Sequence, residues 1–337
     1  MKPADFPGNH LAQDQGAGSS PRSPEGGDSA LSDRSPGMLP EWSCRASGHP
    51  GATDETHRSG FPRSRHDENN MAETLAEGAA AILAAGEPAE KVALSRALAT
   101  RWRAGGMTVG NAIPPPRPAR PARPALCPPR DMPRRRNFGS IAGRIALIHA
   151  LAHIELNAID LAWDIIARFR GADLPRGFYD DWVSVAAEEA EHFTLLAGRL
   201  GALGAAYGEL PAHDGLWEAA AATAHDLLAR LAVVPLVLEA RGLDVTPEMT
   251  LRLERAGDEA SAAILRRIYD DEIGHVAVGA RWFERLCRQR GLDPEAVFRD
   301  KVRRHFNGAL KPPFNRTARD AAGLPQQWYE MLSAQPD

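Results

Sequence analysis

The sequence predicts an all-α protein built around a four-helix bundle. Three observations carry that expectation. Four stretches, at 140–170, 179–203, 216–241 and 258–290, place apolar residues at helical spacing. Alternating Val/Ile/Thr runs are missing, and so is any Asn-Gly hairpin turn flanked by them. Acidic and histidine residues recur inside the apolar stripes at matched intervals.

The chain divides into a tail (1–70), a short helical arm (71–110), a strap (111–137) and the bundle domain with a C-terminal extension (138–337). Of the 27 Pro, 18 fall within the first 136 positions. Residues 1–70 are rich in Gly, Ser, Pro, Asp and Arg and carry little that could be buried, so disorder is expected. The abrupt change at Met71, which opens MAETLAEGAAAILAAG, supports a second reading in which Met71 is the native start. In the arm, two short helices are separated at Gly86-Glu87-Pro88, with Pro88 suited to a first helical turn. The strap, NAIPPPRPARPARPALCPPRDMPRRR, blocks helix and sheet ladders and favours an extended course. Its seven Arg could grip phosphates of a nucleic acid, but the favoured reading is a strap lying on an acidic helical core.

Composition narrows the function classes. A formal charge of −4 removes the simple case of nucleic-acid binding through net positive charge. Cys44, Cys127 and Cys287 form no CxxC and no pairing pattern, so neither a disulfide scaffold nor a thiolate zinc site is expected, and a reducing cytoplasm fits. The longest apolar candidate, 227–238, contains Arg230 and Pro235, and no secretory pattern opens the chain, so no membrane association is expected.

On the first long segment the stripe is Ile148, Ala152, Glu155, Ile159, Ala162 and Ile166, interrupted once by a carboxylate. The second runs Trp182, Val185, Glu189, His192, Phe193, Leu196 and Leu200, which puts Glu189 and His192 one turn apart on the buried side. The third gives Leu228, Ala232, Leu236, Glu239 and Leu243. The fourth gives Leu265, Ile268, Glu272, His275, Val276, Gly279 and Phe283, repeating the Glu-x-x-His of the second. Glu155 and Glu189 are 34 residues apart, and Glu239 and Glu272 are 33 apart. Two successive helix hairpins therefore each offer Glu followed by Glu-x-x-His. A helix of some 25 residues is about 37 Å long at 1.5 Å per residue. The link from 203 to 216 spans about 46 Å when extended, which allows a crossover between the second and third helices.

An ionised carboxylate in an apolar stripe costs several kcal/mol unless paired, and four converging ones also repel one another. Two divalent cations would neutralise Glu155, Glu189, Glu239 and Glu272, with neutral His192 and His275 adding one nitrogen each. Oxygen-rich sets with one imidazole per ion suit two Fe ions, with Mn as the alternative, better than zinc. The set resembles that of ferritin-like di-iron and di-manganese carboxylate proteins. A lone Glu-x-x-His would be weak, since a single buried His is usually a hydrogen-bonded core residue. Six residues in matched order carry the weight.

Candidates for an outer layer are Glu188 and Asp271, which precede the two motifs and could take the free ring N–H of a ligand His. Solvated surface charge is the plain reading of both. His153 is a weaker candidate, with hydrogen bonding to the strap or a neighbouring helix the favoured alternative. Tyr269, one turn before Glu272, could pass an electron or proton, although ordinary packing is the simpler role. Small residues at Ala152, Ala186, Ala190 and Gly279 would leave room for O2 or a substrate group.

LIHALAHIELNAIDLAWD, EEAEHF, YGELPAHDGLW, LEARGLDVTP, DEIGHV and LKPPFN resemble the signatures of a bacterial family known as domain of unknown function 455, within the ferritin-like superfamily. The resemblance covers Met71 to the C-terminus and implies a ferritin-like bundle with metal at the six residues above. Residues 1–70 have no counterpart in it. The leading expectation is a cytoplasmic oxidoreductase or hydroxylase that activates O2 or peroxide, with Glu189 and Glu272 bridging the ions and Glu155 and Glu239 terminal. Three Cys cannot build a four-cysteine electron-transfer site, so an external electron donor is expected. Two other classes stay open: an iron-handling or detoxification protein, and a metal-stapled module that binds RNA or protein through the Arg-rich strap. Substrate and oligomeric state are not legible.

Overall fold

A computed structural model of the chain describes residues 74–128, 131–132, 137–171, 174–306 and 308–333. The expected disorder of residues 1–70 and the alternative start at Met71 lie outside them. Contacts divide the chain into two units, Met1–Glu41 and Trp42–Asp337, and every described residue belongs to the second.

The protein is all-α. Among the described residues there is no strand, only isolated bridges at Leu126–Ala212 and Leu310–Ser333. The helices are α1 (Leu75–Ala84), α2 (Pro88–Arg103), α3 (Ile141–Arg168), α4 (Arg176–Ala202), α5 (Gly215–Ala222), α6 (Leu227–Val233), α7 (Ala240–Arg255), α8 (Glu259–Gln289), α9 (Pro294–His305), α10 (Arg316–Ala321) and α11 (Gln326–Tyr329). A π-helical segment, Val234–Glu239, joins α6 to α7. Local chemistry explains the starts. Thr74 and Glu77 form a reciprocal capping box on α1, Pro88 opens α2, and the Ser140 side chain caps α3 by accepting from the Gly143 N–H.

α3 lies at the centre, packed on α1, α4 and α5, and every residue from Glu155 to Ala167 is buried. It is also long and apolar enough, by length and composition, to cross a membrane, but 72% of its most apolar window is buried inside the protein. An enclosed core helix is apolar over most of its surface, and the acids Asp160 and Asp164 that α3 also buries are paired with cations.

The third long segment departs from expectation. Instead of one helix over 216–241, α5 stops at Ala222, α6 begins at Leu227, and the path continues through the π segment to Arg255. Asp226 caps α6 through the N–H groups of Leu228 and Ala229. The fully buried Arg230 reaches back to Thr223 Oγ1 and the Ala220 carbonyl, tying the break together. Beyond residue 241, Gly242 and Pro247 read as terminators, yet α7 runs through both because one face packs along α8. Tertiary packing here overrides a local cost of about 3 kcal/mol for an interior Pro.

The connection after α4 follows α3 from end to end. The N–H groups of Gly208 and Leu210 donate to His149 Nε2, the His213 carbonyl lies on His153, Trp217 packs with Leu161, and Arg230 pairs with Asp164. At the opposite end Arg144 donates to the Ala256 carbonyl. The segment from α6 to α7 therefore starts at the same end as α4, runs in the same direction and packs on α8.

The strap is tied to the same helix. Its Ala119 N–H donates to the Leu83 carbonyl, Arg117 pairs with Asp214, and Arg120 reaches Asp160 and Asn157. Lys91 of α2 meets the other oxygen of Asp160, so one buried carboxylate holds a cation from the arm and another from the strap. Arg130 and residues 134–136 lie outside the described residues. The cysteine expectation needs one correction: Cys127 is disulfide-bonded, while Cys287 is a free, buried thiol. The cysteines therefore give no support to a reducing compartment.

Candidate metal centre

Glu155 on α3, Glu189 and His192 on α4, Glu239 at the end of the π segment, and Glu272 and His275 on α8 meet in the interior. One ligand atom from each of Glu155, Glu189, His192 and Glu272 lies within 4.8 Å of the others. His192 Nδ1 is 3.4 Å from Glu155 Oε2 and 3.4 Å from Glu189 Oε2. His275 Nδ1 is 3.0 Å from Glu189 Oε1 and 3.5 Å from Glu272 Oε1. Glu189 thus stands between the two rings, one oxygen toward each. Glu239 joins Glu155, Glu189 and Glu272 in the wall of one cavity.

Inside this group Glu155 Oε2, both oxygens of Glu189, His192 Nδ1, Glu239 Oε2, Glu272 Oε2 and His275 Nδ1 are buried and make no hydrogen bond. Orphaned polar atoms in one spot are costly, and their convergence needs an explanation. Charge tells the same story. Burial together with Glu189 raises Glu155 well above the usual carboxylate range, burial with Glu272 and Glu189 does the same to Glu239, and Glu272 is also raised by burial and Glu189. Against burial, the imidazoles of His275 and His192 hold Glu189 low. Burial alone would lower His192, but Glu155 and Glu189 beside it push it up to about 11. His275 is raised in the same way by Glu272 and Glu189. Three carboxylates that resist ionising around an ionised fourth, and two rings that draw protons, describe a nest short of positive charge. The donor set, four Glu and two His Nδ1, fits divalent cations.

The outer nitrogens of both rings are held. His192 Nε2 is 3.1 Å from Asp271 Oδ2, and His275 Nε2 is 2.8 Å from Glu188 Oε2. Each acid serves the ring of the opposite motif, an exchange invisible in linear sequence. The other two outer candidates point elsewhere. Both ring nitrogens of His153 are taken up by Tyr207 Oη and the His213 carbonyl, which belong to the connection between α4 and α5 and to neither the strap nor a neighbouring helix, so these contacts give His153 no part at the site. Tyr269 Oη accepts from Asn315 Nδ2 at 2.9 Å.

A cavity of about 220 Å3 ends on Glu155, Glu189, Glu239 and Glu272. Its walls come from α3, α5, α7 and α8, including Ala158, Leu216, Gly242, Val245, Met249 and Leu265. The expected space at Ala152, Ala186, Ala190 and Gly279 is not there: none of them lines this cavity, and the room beside Gly279 is filled by Pro235. The α7 wall was missed because sequence reading ended that helix at 241. The π segment, which delivers Glu239, went unseen because a one-residue bulge barely disturbs the apolar stripe.

Fold and site together define an all-α protein with a buried Glu/Glu/His/Glu group that could hold a metal ion. The chain belongs to the family described as Protein of unknown function (DUF455), whose model matches residues 84–330. It is similar to a protein of Haemophilus influenzae described as "Uncharacterized protein", at 44% identity over 206 residues, covering 60% of this chain and 71% of that one. No solved structure matches.

Proposed function

We propose that the protein is a ferritin-like di-iron carboxylate oxidoreductase, with manganese as the alternative metal, which uses O2 or peroxide as oxidant. The observation that supports this reading best is the convergence of seven buried, unbonded donor atoms from Glu155, Glu189, His192, Glu239, Glu272 and His275. Two divalent ions would supply +4 against four carboxylates, and the two Nδ1 atoms would give one nitrogen to each ion. When bound, such a pair supplies two reducing equivalents to an oxidant at one place.

The residues' parts follow from their positions. Glu189 faces both rings and suits a bridge; Glu272, close to both His192 and His275, suits a second. Glu155 and Glu239 would be terminal. Asp271 and Glu188 keep each ring's Nε2 protonated and so leave Nδ1 free to donate its lone pair. Electrons would come from an external donor, since three Cys cannot form a four-cysteine relay.

The test is elemental analysis of anaerobically purified protein, followed by optical spectra on admitting O2. Two irons per chain and an O2-dependent absorption change are expected. Glu189→Ala should lose metal and O2 reactivity together. Retention of two irons with an unchanged oxidation rate in that variant would reject the assignment.

A further inference from the structure

The cavity above the carboxylates has a chemistry of its own. At about 220 Å3 it exceeds the roughly 150 Å3 cavity known to accept benzene, so it suits a guest on the order of ten non-hydrogen atoms. Leu151, Ala158, Leu238, Val245, Leu265 and Ile268 make the walls, so the burial available is almost wholly apolar. Toward its outer part stand Ile154, 38% exposed, and the partly exposed Leu216 and Met249, apolar side chains left where solvent would otherwise be met by polar ones.

The polar groups of the cavity choose the guest's charge. An anion would face four carboxylates and would need a cation in the wall. The arginine in the wall, Arg241, is offset in charge by Asp244, and its Nη1 also donates to the carbonyls of Lys311 and Pro313. An organic cation would find the carboxylates, but those same groups are the ones that a metal pair would neutralise.

We propose that this cavity binds a small, neutral, largely apolar organic molecule and presents a C–H bond of it toward the carboxylate floor. The apolar burial depends on the cavity alone; the guest's neutrality and its role as a substrate rest on the di-iron reading. The corresponding reaction, R–H + O2 + 2e− + 2H+ → R–OH + H2O, inserts one oxygen atom into the C–H bond. It reduces the other to water with two electrons from the external donor.

The experiment is isothermal titration of the full chain with indole, a neutral aromatic probe, and with benzoate and phenyltrimethylammonium as charged counterparts. Metal content is measured on the same samples. Saturable binding of indole at one site per chain is expected, tighter than either charged probe. It should weaken at least tenfold in Ala158→Phe, which fills the interior, and in Met249→Trp, which obstructs the outer part. Should Ala158→Phe fail to fold, Met249→Trp at a partly exposed position decides the matter. Absent indole binding, affinity unchanged in Met249→Trp, or a preference for a charged probe overturns the proposal. Indole binding by protein that holds neither iron nor manganese would sink the dinuclear metal reading and leave the cavity assignment standing; metal-loaded protein blind to indole would do the reverse.

Discussion

Glu188 sits beside Glu189 on α4, yet its carboxylate holds His275 on α8, 2.8 Å from the ring Nε2. Asp271, beside Glu272, returns the arrangement to His192 at 3.1 Å. Neither Glu-x-x-His motif is complete without the other hairpin. Asp271 is the better buried of the two acids, and against burial Arg267 and His192 hold its carboxyl below the usual range.

Removing either acid should weaken metal binding without removing a ligand. Asp271→Ala and Glu188→Ala are expected to lose roughly 10- to 100-fold in iron affinity by chelator competition, Asp271→Ala the more. Glu188→Gln should recover part of the loss, because its carbonyl still accepts the ring N–H.

Gly279 and Gly274 should respond oppositely to alanine. A Cβ at Gly279 would come within 2.6 Å of Pro235 Cβ, part of a rigid ring, whereas one at Gly274 meets nothing within 4 Å. Gly279→Ala is expected to lower unfolding stability by about 1–3 kcal/mol. Gly274→Ala should raise it by about 0.5–1 kcal/mol. Urea denaturation compares the two directly.

Asp160 carries two cations at once, Lys91 and Arg120, and is itself fully buried. Asp160→Asn leaves both without a counter-charge and should cost about 3–5 kcal/mol. The triple variant Lys91→Met, Arg120→Leu, Asp160→Leu should recover most of that. A triple variant no more stable than Asp160→Asn would contradict this account.

His149 and His153 give the stability a pH dependence. Burial lowers both to about 4, and His149 Nε2 accepts two backbone N–H groups, which a protonated ring cannot do. Because the folded values lie below the unfolded one near 6.5, their contribution is complete above about pH 6.5 and is lost as pH falls toward 4. Each ring accounts for about 3 kcal/mol at most over that window. In His149→Gln, whose side-chain carbonyl can take the same N–H groups, urea midpoints between pH 7.5 and 4.5 should fall less steeply than in the parent.

Much of the site was legible because four acidic residues and two His broke otherwise apolar stripes at helical spacing, a pattern that needs no knowledge of distant contacts. The all-α class followed from the same periodicity. What was hidden depended on partners far apart in the chain. Nothing local to Glu188 names His275, and nothing near Gly242 or Pro247 announces a helix that only packing on α8 sustains. Asp160 and Asp164 lie one turn apart on α3, and apart from Arg168 on the same helix the cations that neutralise them, Lys91, Arg120 and Arg230, come from three separate segments.

The charges on α3 also impose an order on a chain emerging from the ribosome. Lys91 and Arg120 are made before Asp160, so the arm and strap have no anion to settle against until the middle of α3 appears. Asp164 has Arg168 one turn on, and its second cation, Arg230, follows some sixty residues later. The full set of ion pairs around α3 therefore cannot be complete until the second hairpin has begun.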